Sequence, residues 1–223
     1  MRLRPIRGRH RKRLFYRLVR VIEFVCLFGV VPFLYFLKLF PIPVLGFLWI
    51  MTIVALIYLW RHPKGKIKEL FTWNPPKEYL IFVFKRFAIL AVLIALSVFV
   101  ITPDRFFEFP LERFGVWILV MGFYPVFSVI PQSIIYRKFF ELRYRPLFSK
   151  TVFFILGGAM AFSYMHIIYE NWASIILTFV GGVFFTKTYV DTRSFLLSCL
   201  EHALYGCFMF TVGLGHFFYL GSG

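Results

Sequence analysis

Long apolar stretches alternate along the chain with short connections that are mostly basic. Seven such stretches stand out, over residues 21–37, 42–60, 80–101, 115–136, 151–169, 173–190 and 194–220. Each approaches the roughly 20 residues that a helix needs to cross a bilayer. The pattern predicts an all-α polytopic membrane protein with about seven transmembrane helices. Two charged positions interrupt it early. Lys85 and Arg86 fall near the start of the third stretch and are expected at the membrane interface. Glu23 falls near the start of the first, where Arg20 is its expected partner on the same helix face.

Composition agrees with lipid as the solvent. Of 223 residues, 60% are hydrophobic and 22% aromatic, more than a soluble domain of this length buries. Net charge is +16 although only 16% of residues are charged, so the basic residues gather outside the spans, where anionic headgroups meet them. Residues 1–20, "MRLRPIRGRHRKRLFYRLVR", hold nine Lys/Arg and no acid. No A-x-A-like cleavage site follows, so they read as a basic cytosolic tail on a retained first helix rather than a signal peptide. Membrane lipids are the expected partner of that tail, and no nucleic acid is called for. With the N-terminus inside, all but three of the 26 lysines and arginines fall on the cytosolic side, the exceptions being Lys38, Arg105 and Arg113. The positive-inside rule expects such a split. The expected location is the bacterial cytoplasmic membrane, with the endoplasmic reticulum as the alternative. Cys26, Cys199 and Cys207 lie in apolar stretches without metal-type spacing and read as small buried hydrophobes.

Polar chemistry is concentrated after residue 115. The chain divides into the tail at 1–20, accessory helices and a basic loop over 21–114, and a functional domain over 115–223. Gln132, His166 and His202 lie about 20, 24 and 14 Å from the cytosolic ends of their helices at 1.5 Å per residue, all near mid-membrane. Intramembrane polar groups at a common depth point to a shared site in a four-helix functional bundle. The pairs Gly157-Gly158 and Gly181-Gly182 would let those helices approach closely. Two histidines without a further ligand make a thin zinc site. No P-loop, nucleotide fingerprint, G-x-S-x-G or H-E-x-x-H motif is present, so neither metal nor cofactor is expected. Glu201 adjoins His202 but points about 100° away on a helix, toward another face.

The ordered set "QSIIYR", ending at Arg137, "FSYMH", from Phe162 to His166, and "EHALYG", holding His202, resembles the CPBP family of CAAX prenyl proteases and bacteriocin-processing intramembrane peptidases. Flanking text such as "RYRPLF", "HIIYENW" and "LTFVGG" resembles it too, over about residues 115–220. The resemblance implies an intramembrane endopeptidase and makes Gln132, Ser133, Arg137, His166 and His202 the candidate catalytic residues. It also implies a peptide or prenylated-protein substrate. The family carries two glutamates where this chain has Gln132 and Ser133, and often Asn or Asp where it has Gly206. A neutral amide holds a water without taking its proton. Two readings follow: a peptidase with altered chemistry, using Ser133 with a histidine base or a water held by Gln132, or a non-catalytic relative. The second would bind a peptide, a lipid-modified tail or a membrane partner.

Overall fold

The computed structural model describes residues 6–65 and 67–219, with side chains from Leu14 onward apart from Lys66. Its described residues are helical and connecting, without a strand. Among the described residues, seven helices are long and apolar enough to cross a membrane: α1 Leu14–Phe36, α2 Val44–Arg61, α3 Lys77–Ile101, α4 Phe114–Leu147, α5 Thr151–Tyr169, α6 Trp172–Thr192 and α7 Phe195–Val212. Their apolar side chains point outward as often as inward: Trp60, Val100 and Trp172 are each more than 70% exposed. A surface of that kind belongs against hydrocarbon, where closed helical hydrogen bonding leaves no backbone group unmet. The protein is an integral membrane protein.

Burial ranks the helices. In their most apolar windows α1 to α4 bury 11–17% of residues, whereas α5, α6 and α7 bury 39–50%. The centre of the molecule is thus the last three helices and the inner face of α4. Helices α1 and α2 cover that face from one side. Phe24 and Phe28 of α1 pack edge-on against Phe140 and Tyr144 of α4, with ring centroids 5.5–5.9 Å apart.

Ion pairs tie the helix ends together at two levels. At one end Glu23 of α1 binds Arg143 of α4 and accepts from the Tyr144 hydroxyl at 2.7 Å. Lys138 pairs with Glu69 of the α2–α3 loop, and Arg193 with Glu141. At the other end Lys38 meets Glu170 at 3.2 Å. Arg20, the expected partner, adds charge attraction to Glu23, while α4 brings a guanidinium and a phenol onto the carboxylate as its bonded partners.

Helix α4 is the long element, and it is not uniformly α-helical. Pro125 and Pro131 have no N–H to give, and the backbone answers with wider turns. The Ile130 N–H reaches back five residues to the Pro125 carbonyl, and the Phe140 N–H does the same to Ile135. Each wide turn re-aims the side chains beyond it, and such turns recur at functional sites. Pro131 therefore brings no break: the helix passes through it.

The three inner helices are joined by tight hairpins that the sequence specifies. Glu170 takes the left-handed conformation at the end of α5 (φ 56°), and Asn171 then caps α6, its Oδ1 accepting from the Ser174 N–H at 2.7 Å. Arg193 (φ 57°) and the Ser194 cap repeat the device between α6 and α7. Helices α5 and α6 lie close because Gly182 faces Ala159, whose Cα would stand 3.0 Å from a Cβ at that glycine. Cys199 is buried as expected, but Cys26 lies on the outer surface.

Candidate intramembrane site

The widened helix α4 decides which of its polar side chains face open space. Gln132 does. It lines a cavity of about 370 Å³ enclosed by α3 to α7, together with His166, His202, Tyr124 and Ser128. Its Nε2 donates to the Ser128 hydroxyl, one turn earlier, at 2.8 Å, so the amide is held in a fixed pose. A second, smaller cavity of about 160 Å³ lies on the α1–α2 side. Gln132, His166 and Tyr169 line both. These three side chains form the wall between the two spaces.

His166 lies in the tightened last turn of α5. Its Nδ1–H donates to the Phe162 carbonyl at 2.8 Å. A carbonyl only accepts, so the bond assigns the proton to Nδ1 and leaves the Nε2 lone pair for a ligand or water. His202 enters from α7 and is buried. It stacks on Phe185 with centroids 4.6 Å apart and lies edge-on to Phe162 at 5.4 Å. Its Nε2 is 3.4 Å from the Tyr124 hydroxyl. Nδ1 has no hydrogen-bond partner among the described residues.

Ser133 and Arg137 turn the other way. Ser133 is fully buried, its hydroxyl has no hydrogen-bond partner among the described residues, and it lines neither cavity. Arg137 is 1% exposed, with its guanidinium 4.9 Å from the Phe162 ring centroid and 5.2 Å from that of Phe185. None of its three nitrogens has a hydrogen-bond partner among the described residues. The five candidates therefore separate: Gln132, His166 and His202 converge on open space, and Ser133 and Arg137 sit in the packing beneath them. Among the described residues no group of three His, Cys, Asp or Glu converges as metal ligands.

Three features escaped the sequence. Arg86 is not at the interface: it turns inward from α3 to Glu201, which is fully buried and also accepts from Thr188 at 2.6 Å. Its guanidinium lies between the Phe82 and Phe184 rings, 4.9 and 4.5 Å from their centroids. Neighbouring Lys85 stays exposed. The expected divergence of Glu201 from His202 holds, and its partner supplies the reason. The accessory helices thus do bring a polar group to membrane depth. The second feature is Tyr124, one of 12 tyrosines in an aromatic-rich chain, whose only local signal is the proline that follows it. The third is the reason for Gly206, which the sequence marked only as a departure: a Cβ there would collide with the Tyr124 hydroxyl and ring.

Comparison with known families meets this geometry at the same residues. Residues 114–208 match the family model described as Type II CAAX prenyl endopeptidase Rce1-like. That part of the chain is similar to the CAAX prenyl endopeptidases. The match begins at the first residue of α4 and ends within α7, so it spans every helix that lines the larger cavity except α3. Neither the curated proteins nor the solved structures gave a match. Within the CAAX-protease-like domain, Gln132 presents a neutral amide at the wall, and neither cavity is lined by Asp or Glu among the described residues.

Proposed function

We propose that this CAAX-protease-like protein binds a peptide or lipid-modified tail in its intramembrane cavity without cleaving it. The observation that carries the reading is the cavity lining itself, with Gln132 and two histidines but no carboxylate among the described residues. Peptide hydrolysis by activated water needs a base, and removing one costs about 10²–10⁴ in rate. Ser133 does not fill the gap, since its buried hydroxyl has no hydrogen-bonded imidazole among the described residues and lines neither cavity. The walls suit an extended, largely apolar ligand with a few amide groups, the usual chemistry of such pockets. The basic tail, whose first residues lie outside the described ones, supports a cytosolic N-terminus against anionic headgroups, in a bacterial cytoplasmic membrane or the endoplasmic reticulum.

A second reading has one observation behind it. The Phe162 carbonyl leaves the His166 Nε2 lone pair free, and His166 lines the same cavity as Gln132, which supports a water held by the amide and deprotonated by the imidazole.

Cleavage by purified protein in liposomes separates the two, with a peptide library that includes prenylated tails. Three proteins run side by side: the natural chain, His166→Ala with His202→Ala, and Gln132→Glu. The binding reading expects silence from the natural chain and cleavage from Gln132→Glu, because position 132 faces the cavity. Cleavage by the natural chain that is lost in the double variant would overturn it in favour of the second reading.

A further inference from the structure

Positions 202, 206 and 210 form one stripe along α7, spaced a turn apart. The ring of Tyr124, coming from α4, lies across that stripe. It is edge-on to His202 on one side, with centroids 6.2 Å apart, and to Phe210 on the other, at 5.4 Å. Between them is Gly206. A Cβ there would fall inside contact distance of the Tyr124 hydroxyl and two of its ring carbons. The bare backbone is therefore the notch that admits the phenol. The ring occupies it with its hydroxyl 3.4 Å from His202 Nε2, on the wall of the larger cavity.

We propose that Tyr124 is a positioning residue for His202: its hydroxyl, admitted over Gly206, meets Nε2 and sets the direction in which the imidazole faces the cavity. The proposal deepens the reading of this cavity as a ligand site and rests on it for its functional meaning. Phenol is the better donor and imidazole nitrogen the better acceptor, so the O–H donates to Nε2. The separation is long for such a bond. Contacts of this kind tighten when a ligand fills the site. Nothing else among the described residues holds the imidazole nitrogens, since Nδ1 has no partner, and the stacked Phe185 fixes the ring plane but not its rotation within that plane.

The test uses the full chain in lipid nanodiscs, ¹⁵N-labelled at histidine, with the His202 signals assigned through His202→Gln. Tyr124→Phe keeps every ring contact and removes one oxygen. It is expected to shift the His202 Nε2 resonance and leave the other four histidines unmoved. Gly206→Ala, which closes the notch, is expected to give the same shift, and adding Tyr124→Phe to it should move the signal no further. An unmoved His202 signal in Tyr124→Phe overturns the proposal, and so do additive shifts from the two substitutions. Where the natural chain cleaves peptides, Tyr124→Phe should lower kcat by about threefold to tenfold at constant KM, the scale of one neutral hydrogen bond. None of the resonance outcomes depends on cleavage or binding. A chain that neither binds nor cleaves the peptide library, yet shows the His202 shift, refutes the ligand-site reading and leaves the positioning role standing.

Discussion

Arg137 carries its charge between two phenylalanine rings and touches no carboxylate among the described residues. Taking a guanidinium out of water costs several kcal/mol, while contact with aromatic faces returns about 2 kcal/mol. The balance is unfavourable. Arg137→Met is therefore expected to raise the thermal unfolding midpoint in detergent, by an amount equivalent to about 1 kcal/mol or more. A lowered midpoint would show that the arginine has a stabilising partner. At this scale the sequence singled out polar residues in the spans but not the direction in which each points. Gln132 and the two histidines were legible because polar groups in a span are costly and so mark a site. Ser133, adjacent to Gln132, points into the packing instead, since neighbouring positions on a helix face different ways. Tyr124 was invisible because its role depends on a glycine 82 positions away.

Between elements, the buried pair of Arg86 and Glu201 joins α3 to α7, with Thr188 of α6 as the third member. Breaking it from one side strands a charge in the interior, at about 3–5 kcal/mol. Arg86→Met and Glu201→Gln should each lower the unfolding midpoint strongly, and the double variant Arg86→Met with Glu201→Leu should recover most of the loss. If the double variant were as unstable as the worse single one, the pair would not be the lock described here. The α5–α6 contact makes a second prediction. Gly182→Leu pushes into Ala159 and Phe162 and should prevent a monodisperse fold, whereas Gly115→Ala meets open space and should leave the midpoint unchanged. Size-exclusion profiles read the first and thermal melts in detergent the second. The glycine pairs were readable from local chemistry, whereas the caps at Asn171 and Ser194 came only with the structure. The wide turns of α4 were not, because a proline states that a hydrogen bond is missing but not how the helix closes around the gap.

For the whole molecule, the ion pairs gather at two levels that correspond to alternate helix ends. The excess of Lys and Arg at one of those levels expects that end in the cytosol. Single cysteines on a background lacking Cys26, Cys199 and Cys207 test the orientation. Lys64→Cys and Lys150→Cys should stay protected from an impermeant maleimide in intact cells, and Asp104→Cys should react. The opposite pattern would invert the topology. Helices α1 and α2 also gain a role at this scale. They enclose the smaller cavity, so the wall of Gln132, His166 and Tyr169 is approached from two sides.

The sequence alone determined the all-helical membrane architecture, the number of spans and the segment that carries the polar site. Those properties follow from hydropathy, helix length and charge placement, which act locally and add along the chain. Tertiary structure alone decided that Gln132 faces the cavity while Ser133 does not. It also decided that Arg86 is buried against Glu201, and that Tyr124 rests in the notch at Gly206. Such outcomes depend on helix rotation and on the close approach of distant side chains, which only the packing of all seven helices sets.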